Sequence, residues 1–419
     1  MPIIDHLSAL EILDSRGRPT VQATCVLASG AVGTVSVPSG ASRGAAEAWE
    51  LRDGDPRRYG GLGCRRAVAH IEGEILAALD VRPFDDQRAL DEALIALDGT
   101  SNKARLGANA ILAVSLAFAR AVAAERAIPL YDYFAELIDR PAASLPLPMI
   151  NLFSGGKHAG AQIAVQDVQV MPVTARTMDE VLAMTYAVFQ AAAELVYRRY
   201  GMRLLTADEG GLAPQFANTE DMLDASVEAI RAAGLEPGRD VVLTVDVAAS
   251  HFHRDGRYHL EDGALDGAAM VDRLAAWLDA YPIASLEDGL AEDDWHHWRQ
   301  LRARVGSRAM VMGDDLLCTH PARIRRAVEQ GAANALLLKV NQIGTLSEAA
   351  DACCLAVDAG WRVVISARSG ETEDNWLADL AVGWSGHHIK VGAITQSDRL
   401  AKYNRLLAIE RTTGLPLAR

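Results

Sequence analysis

Positive charge is scarce in this chain: 41 lysines and arginines face 55 aspartates and glutamates, a formal net charge of −14 at pH 7. That balance, with a pI near 5.3, argues against a nucleic-acid or membrane-surface role. An anionic ligand would have to be met by local cations or metal ions. Cysteine is scarce too. The five cysteines (Cys25, Cys64, Cys318, Cys353 and Cys354) are odd in number and lack zinc-type spacing, which excludes a disulfide framework and disfavours a thiol mechanism. Adjacent Cys353 and Cys354 read as core filler on a helix, and a reduced cytoplasm is the expected compartment. No apolar stretch approaches the ~18–20 residues of a membrane span. The N-terminus, Met1-Pro2-Ile3-Ile4-Asp5-His6, lacks the pattern of a signal peptide. Internal repeats and low-complexity tracts are absent apart from alanine enrichment.

What is present suits a soluble globular enzyme. Half of the 419 residues are hydrophobic and the mean hydropathy is +0.05, enough for a large core and two domains. Residues 8–37 alternate like strands broken by turns: Ala9–Leu13, Thr20–Val26 and Val32–Val37. From about 64 to 126 the pattern becomes helical. A strand block followed by a helix block predicts an α+β cap domain over residues 1–140. The segment Pro141–Pro148 reads as the linker into a second domain, 141–419. Strand-like stretches at 148–151 and 165–173 open that domain, and a helix is expected near 178–200.

Apolar runs then recur, each ending in a charged or polar residue: Val241–Asp246, Ile283–Glu287, Ala309–Asp314, Ala335–Lys339, Arg362–Ser366 and His387–Lys390. After a first interval of 41 residues, successive run ends lie 24 to 27 residues apart. One strand plus one helix fills such a step, the pitch of a β/α barrel whose catalytic groups sit at strand C-terminal ends. Asp246, Glu287 and Asp314 would then converge. Carboxylates brought together repel unless a cation neutralises them, and oxygen-only ligands favour Mg²⁺. The alternative is three unrelated surface acids or helix caps. Lys339 and Lys390 flank the cluster on later strands. Desolvation, a metal ion and a second ammonium would all disfavour protonated Lys339, making it a base for a carbon-bound proton. Such a proton is acidic enough only beside a carboxylate whose developing charge is absorbed.

Three Gly-rich segments accompany this rim: Ser39–Gly44, Gly155–Gly160 with a histidine, and Ala207–Gly211 with an acid beside two glycines. Each alone is as consistent with a turn as with a site. The histidine pairs His251/His253, His296-His297 and His387-His388 lack a matching carboxylate and read as solvated or capping groups. Trp295 and Trp298 read as packing between barrel helices.

Together with Glu11–Gly17, Leu106–Leu112, Asp208–Gly211, Asp246–Ser250, Gly313–Leu316, Leu337–Glu348 and Ser369–Asp374, these segments give the chain a resemblance to enolase over nearly its whole length. The resemblance implies an α+β cap on a β/α barrel, a homodimer, and two Mg²⁺ ions acting on the small phosphorylated acid 2-phosphoglycerate. It implies that Asp246, Glu287 and Asp314 hold the first metal and Ser42 the second. Lys339 is then the base, Lys390 holds the substrate carboxylate, and Glu209 acts on the departing C3 hydroxyl. Arg368 and Ser369 grip the phosphate, His158 closes the pocket, and Gln166 lies near the substrate.

The departures from enolase cluster. Ala367 stands where the family has a histidine. Asp167 stands where it has a glutamate, which withdraws a carboxylate by one methylene from the hydroxyl-leaving side. Gly289 follows Glu287-Asp288 where a proline is usual. Arg43 replaces a threonine and Lys157 usually a serine. The proton-abstraction half is whole and the hydroxide-expelling half, where acid–base help is worth about 10²–10⁴ in rate, is altered. Three readings follow. One is a specialised paralogue with room and cations (Arg43, Lys157) for a larger or more anionic ligand, like the enolase-like enzyme of phosphonate antibiotic pathways that makes carboxyphosphonoenolpyruvate. The second is a phosphopyruvate hydratase that has drifted. The third is a non-catalytic binding or structural protein, disfavoured because converged acids without a metal would destabilise a barrel.

Overall fold

The structure, a computed structural model, describes residues 1–201 and 205–419. The chain begins with an antiparallel meander: β1 (Ile4–Leu13), β2 (Pro19–Leu27) and β3 (Val32–Ser36), with Leu7 opposite Cys25 and Ala23 opposite Val35. The inward face of β2 carries Val21, Ala23 and Cys25, all fully buried, as period-2 alternation requires. Against this face lies the helix Ala108–Glu125. At Gly33 the two backbones approach so closely that a Cβ would stand 2.2 Å from the Ala117 carbonyl oxygen, so only glycine fits. This is the one helix among the described residues long and apolar enough to cross a bilayer, and 83% of it lies buried inside the protein. It corrects the expectation that no stretch approaches span length, and its burial gives the reason: a core helix passes the same test.

The second part is a closed eight-stranded barrel wrapped by helices, the expected α/β architecture of an α+β cap on a TIM-like barrel. Its first strands are β4 (Leu147–Ser154), β5 (Asp167–Pro172) and β6 (Val241–Asp246). A small antiparallel sheet follows: β7 (His253–Arg254), β8 (Arg257–Leu260) and β9 (Gly263–Leu265). The barrel resumes with β10 (Ile283–Glu287), β11 (Met310–Gly313), β12 (Ala335–Leu338), β13 (Arg362–Ser366) and β14 (His388–Gly392), which closes on β4. Every barrel pairing is parallel except those of β5, which runs antiparallel to both neighbours. The reversal matters to the site. A parallel strand presents its last residue at the C-terminal rim, whereas β5 presents its first, and Asp167 therefore stands opposite Asp246.

The run ends follow the sequence reading closely. β12 is a wholly buried Ala-Leu-Leu-Leu with Lys339 immediately after it, as a strand covered on both faces should be. Loop-to-helix junctions are held by side-chain caps, including Thr177 to the Glu180 amide and Asn218 to the Asp221 amide, each worth about 1 kcal/mol. Buried polar contacts lock the N-terminal part to the barrel. The Asp91 carboxylate accepts from the Ser347 amide and hydroxyl at 2.8 and 2.7 Å, and Lys103 meets Glu348 at 2.9 Å.

Candidate active site

Five charged side chains converge at the barrel rim. Asp246 ends β6, Glu287 ends β10, Asp314 follows β11, Lys339 follows β12, and Lys390 lies in β14. Asp246 and Glu287 are register partners. Lys390 Nζ lies 2.7 Å from Asp246 Oδ2 and 2.8 and 2.7 Å from the two Glu287 oxygens. Lys339 Nζ donates to Asp314 Oδ2, whose other oxygen accepts from Gln342 at 2.7 Å. Thr319 supports this corner, accepting from the Lys339 amide and donating to Gln342.

Burial sets the electrostatics of this group and the pairing decides their sign. Burial alone would raise the Asp246 carboxyl, but the Lys390 ammonium more than offsets it and brings it to about 2. Glu287 goes the other way: burial, and then the neighbouring Asp246 charge, push it well above the carboxylate range. Two acids share one ammonium, and of the pair Glu287 is the one made harder to ionise. Burial disfavours the Lys339 ammonium, yet Asp314 overcomes this and holds its pKa up. Desolvation and the second ammonium, Lys390, both disfavour the charged form, and the Asp314 carboxylate opposes them. Asp314 against it favours the ammonium form.

The donor set suits a hard divalent cation. Asp246, Glu287 and Asp314 offer only carboxylate oxygens, and Glu287 shares its ammonium, Lys390, with Asp246. Beside them Gln166 donates to Asp246 Oδ2 at 3.0 Å while its own carbonyl oxygen is buried without a partner. Ser42 lines the same cavity, though its backbone oxygen already accepts from Arg368 at 2.8 Å. A second acidic group, Asp288, Asp314 and Asp315, also clusters. There Asp288, at a φ of 42° that Asp tolerates better than most residues, accepts from the amides of Asp314 and Asp315 and shapes the turn.

The opposite wall joins two loop residues to the first residue of β5. Its residues His158, Asp167 and Glu209 form a further cluster. His158 Nδ1 meets Asp167 Oδ2 at 2.9 Å and its Nε2 lies 3.8 Å from Glu209. Ser154 donates to the other Asp167 oxygen, and Asn151 donates to Glu209 at 3.1 Å. Burial works against a charged His158, but the Asp167 and then the Glu209 carboxylate prevail and push it up to about 9. Burial raises Asp167 in spite of the imidazolium. For Glu209 burial is outweighed, first by His158, and its carboxyl is lowered. Glu209 and His158 line the cavity, whereas Asp167 is fully buried behind His158 and does not.

Arg368 is buried between Glu47 at 3.0 Å, Asn341 at 3.2 Å and the Ser42 carbonyl, and Gly40 packs so tightly on it that a Cβ would stand 2.0 Å from its guanidinium. Ser369 lines the cavity and accepts from Arg16 at 3.0 Å. Two expected cations lie elsewhere. Arg43 stacks 4.2 Å above the Trp49 ring, where a guanidinium gains about 0.5–1 kcal/mol or more. Lys157 turns into a separate cleft with His251 and His259. Sequence reasoning missed Glu47, Arg16, Asn341 and Gln342. For the last two the signal was present, since they directly follow Lys339. The other histidine pairs are structural: His297 caps onto Asp294 at 2.7 Å, and His387 accepts from the Val363 amide.

The cavity's free volume is about 30 Å³, room for one or two waters. A larger cleft, about 640 Å³ between β1–β3 and Glu371–Asn375, is lined mostly by acids and hydroxyls and lacks the convergent lysines, so the smaller cavity is the candidate site. Ala367 forms part of its wall. The family model for the enolase N-terminal domain matches residues 4–134, and the one for the enolase C-terminal TIM barrel domain matches residues 142–416. Carboxylates at β6, β10 and β11 and lysines at β12 and β14 thus stand on matched barrel, and the chain belongs to the enolase family.

Proposed function

We propose that this protein is a Mg²⁺-dependent enzyme acting on 2-phosphoglycerate or phosphoenolpyruvate-type substrates, specialised away from plain dehydration. The observation that carries this reading is the contrast between the two walls. Lys339 and Lys390 stand ready on strand ends, while Asp167 is turned away from the cavity and occupied by Ser154 and His158, and Ala367 offers only a methyl group.

In the forward direction Lys339 takes the C2 proton, and Lys390 faces the carboxylate that becomes more negative as it leaves. Hydroxide then departs from C3 as the C2–C3 double bond forms, with Glu209 and His158 as the available proton carriers. Asp246, Glu287 and Asp314, with Ser42 for a second ion, are the residues that would hold divalent cations. Such ions supply the positive charge that absorbs the developing negative charge on the substrate carboxylate. With Asp314 engaged in holding a cation, the Lys339 ammonium would lose its counter-ion and burial would favour the neutral amine. Entry of a three-carbon phosphorylated acid requires the Ser39–Glu47 or Gly155–Gln166 loop to move aside, and closure then excludes water.

The finer reading is an enzyme making a product of the carboxyphosphonoenolpyruvate kind. Glu209 on the cavity wall favours the second reading, a phosphopyruvate hydratase. Phosphoenolpyruvate formation from 2-phosphoglycerate separates them: turnover of tens per second, near typical enzymes, would establish the hydratase and end the paralogue reading. The same proposal includes a cytoplasmic homodimer, supported by exposed Leu10 and Leu13 on edge strand β1 and tested by sedimentation.

A further inference from the structure

A cleft of about 320 Å³ lies beside the catalytic cavity, near the lower size limit of small-molecule sites. One wall is the loop running from Gly155 to Gln166. The other is the turn Ala249–His251 with β7 and β8. The loop is closed on itself by the Gly155 amide bonding to Gln166 and the Gly156 amide to Ile163. It is also fastened across the cleft, where Glu261 accepts from the Ala164 amide. The two cavities therefore share a single partition, with His158 on one side and its neighbour Lys157 on the other.

The lining holds an ammonium and two imidazoles that are incompletely paired. Lys157 has no carboxylate partner among the described residues. The only acid in the lining, Glu261, is engaged by the Ala164 amide and, at 3.3 Å, the Thr219 hydroxyl. His251 Nδ1 and His259 Nε2 are buried without a hydrogen-bond partner, an arrangement that folded proteins ordinarily avoid. Burial pushes His251 down to about 4, and the Lys157 ammonium and the His158 imidazolium add to the effect. Lys157 and two imidazoles crowd there with Glu261 as the one carboxylate, itself engaged by Ala164 and Thr219. Phe252, edge-on to Tyr258 at 6.4 Å, holds the far wall.

We infer that this cleft is a subsite for a second small oxyanion of the carboxylate, phosphate or phosphonate class, held by Lys157 with His251 and His259 as hydrogen-bonding partners. It rests on the reading of the main cavity as the site of a phosphorylated three-carbon acid, for which the cleft would take the anionic end of a co-substrate or a free anion. Because the partition carries His158, filling the cleft fixes the loop that closes the catalytic cavity.

The test uses the full-length chain with Mg²⁺. Calorimetry first measures 2-phosphoglycerate alone, then inorganic phosphate and, separately, phosphonoformate at saturating 2-phosphoglycerate. The expected result is one saturable site that persists under saturation. Lys157→Ala should weaken it at least tenfold, Lys157→Arg should restore it, and His259→Phe should weaken it severalfold. Tighter binding of phosphonoformate than of phosphate marks a co-substrate subsite, and equal binding a free-anion site. Loss of the signal under 2-phosphoglycerate, or indifference to Lys157→Ala, overturns the inference. If 2-phosphoglycerate fails to bind while phosphate binds and responds to Lys157→Ala, the catalytic reading fails and the subsite stands.

Discussion

The lysine wall and the histidine wall of the catalytic cavity are held in different ways. Asp246, Glu287, Asp314, Lys339 and Lys390 lie on or just beyond barrel strands, where ladder register fixes the backbone to which each is attached. His158 and Glu209 lie on loops and are placed by one another, by Asp167 and by Asn151. A change in a strand-end residue alters the charge of the site and leaves its geometry. A change in one loop residue releases its partners. Asp167 opens β5 and Ala367 directly follows β13, so both departures sit on the strand scaffold, with Asp167 in contact with the loop-borne His158.

The largest effect tests what the lysine wall requires. Excess EDTA should abolish turnover and ligand binding, and Mg²⁺ should restore both; calorimetry or an activity assay unaffected by chelation would remove the metal from the account. Next in size, Lys339→Ala should lower exchange of the C2 proton of 2-phosphoglycerate by about 10⁴-fold, followed by NMR in D₂O. Persisting exchange would assign the base elsewhere. On the other wall, restoring Asp167→Glu together with Ala367→His should raise phosphoenolpyruvate formation about a hundredfold, at the lower end of general acid–base effects, with C2 exchange unchanged. Equal changes in both rates would erase the distinction between the walls.

The smallest effect concerns stability. The folded-state pKa of His158, about 9, lies above the ordinary 6.5, so the folded protein binds this proton more tightly than the unfolded chain. Its contribution is complete below about pH 6.5 and is lost as pH rises through 9. His158→Gln should flatten the fall in denaturant midpoint between those values; an identical pH profile would show that Asp167 and Glu209 do not hold a charged imidazole.

The same contrast explains what the sequence revealed. Asp246, Glu287, Asp314, Lys339 and Lys390 were legible because each closes a buried apolar run, and burial on both faces leaves a plain signature. The direction of β5 was not, since alternation has no polarity, and that direction alone brings Asp167 to the rim. Loop cations were visible as charges but not as vectors. Arg43 finds the Trp49 ring six positions on, and Lys157 faces the neighbouring cleft, because long side chains choose among partners that only the assembled fold brings near. Helix Ala108–Glu125 carries too little polarity to tell a core helix from a membrane span, and the sheet packed on it decides.

The central claim is that proton abstraction is intact where hydroxide expulsion is altered. One experiment compares both on the same sample: C2 exchange of 2-phosphoglycerate and its conversion to phosphoenolpyruvate, with Mg²⁺, in D₂O. The account predicts exchange at least tenfold faster than conversion. Conversion at tens per second, with exchange no faster, would contradict it.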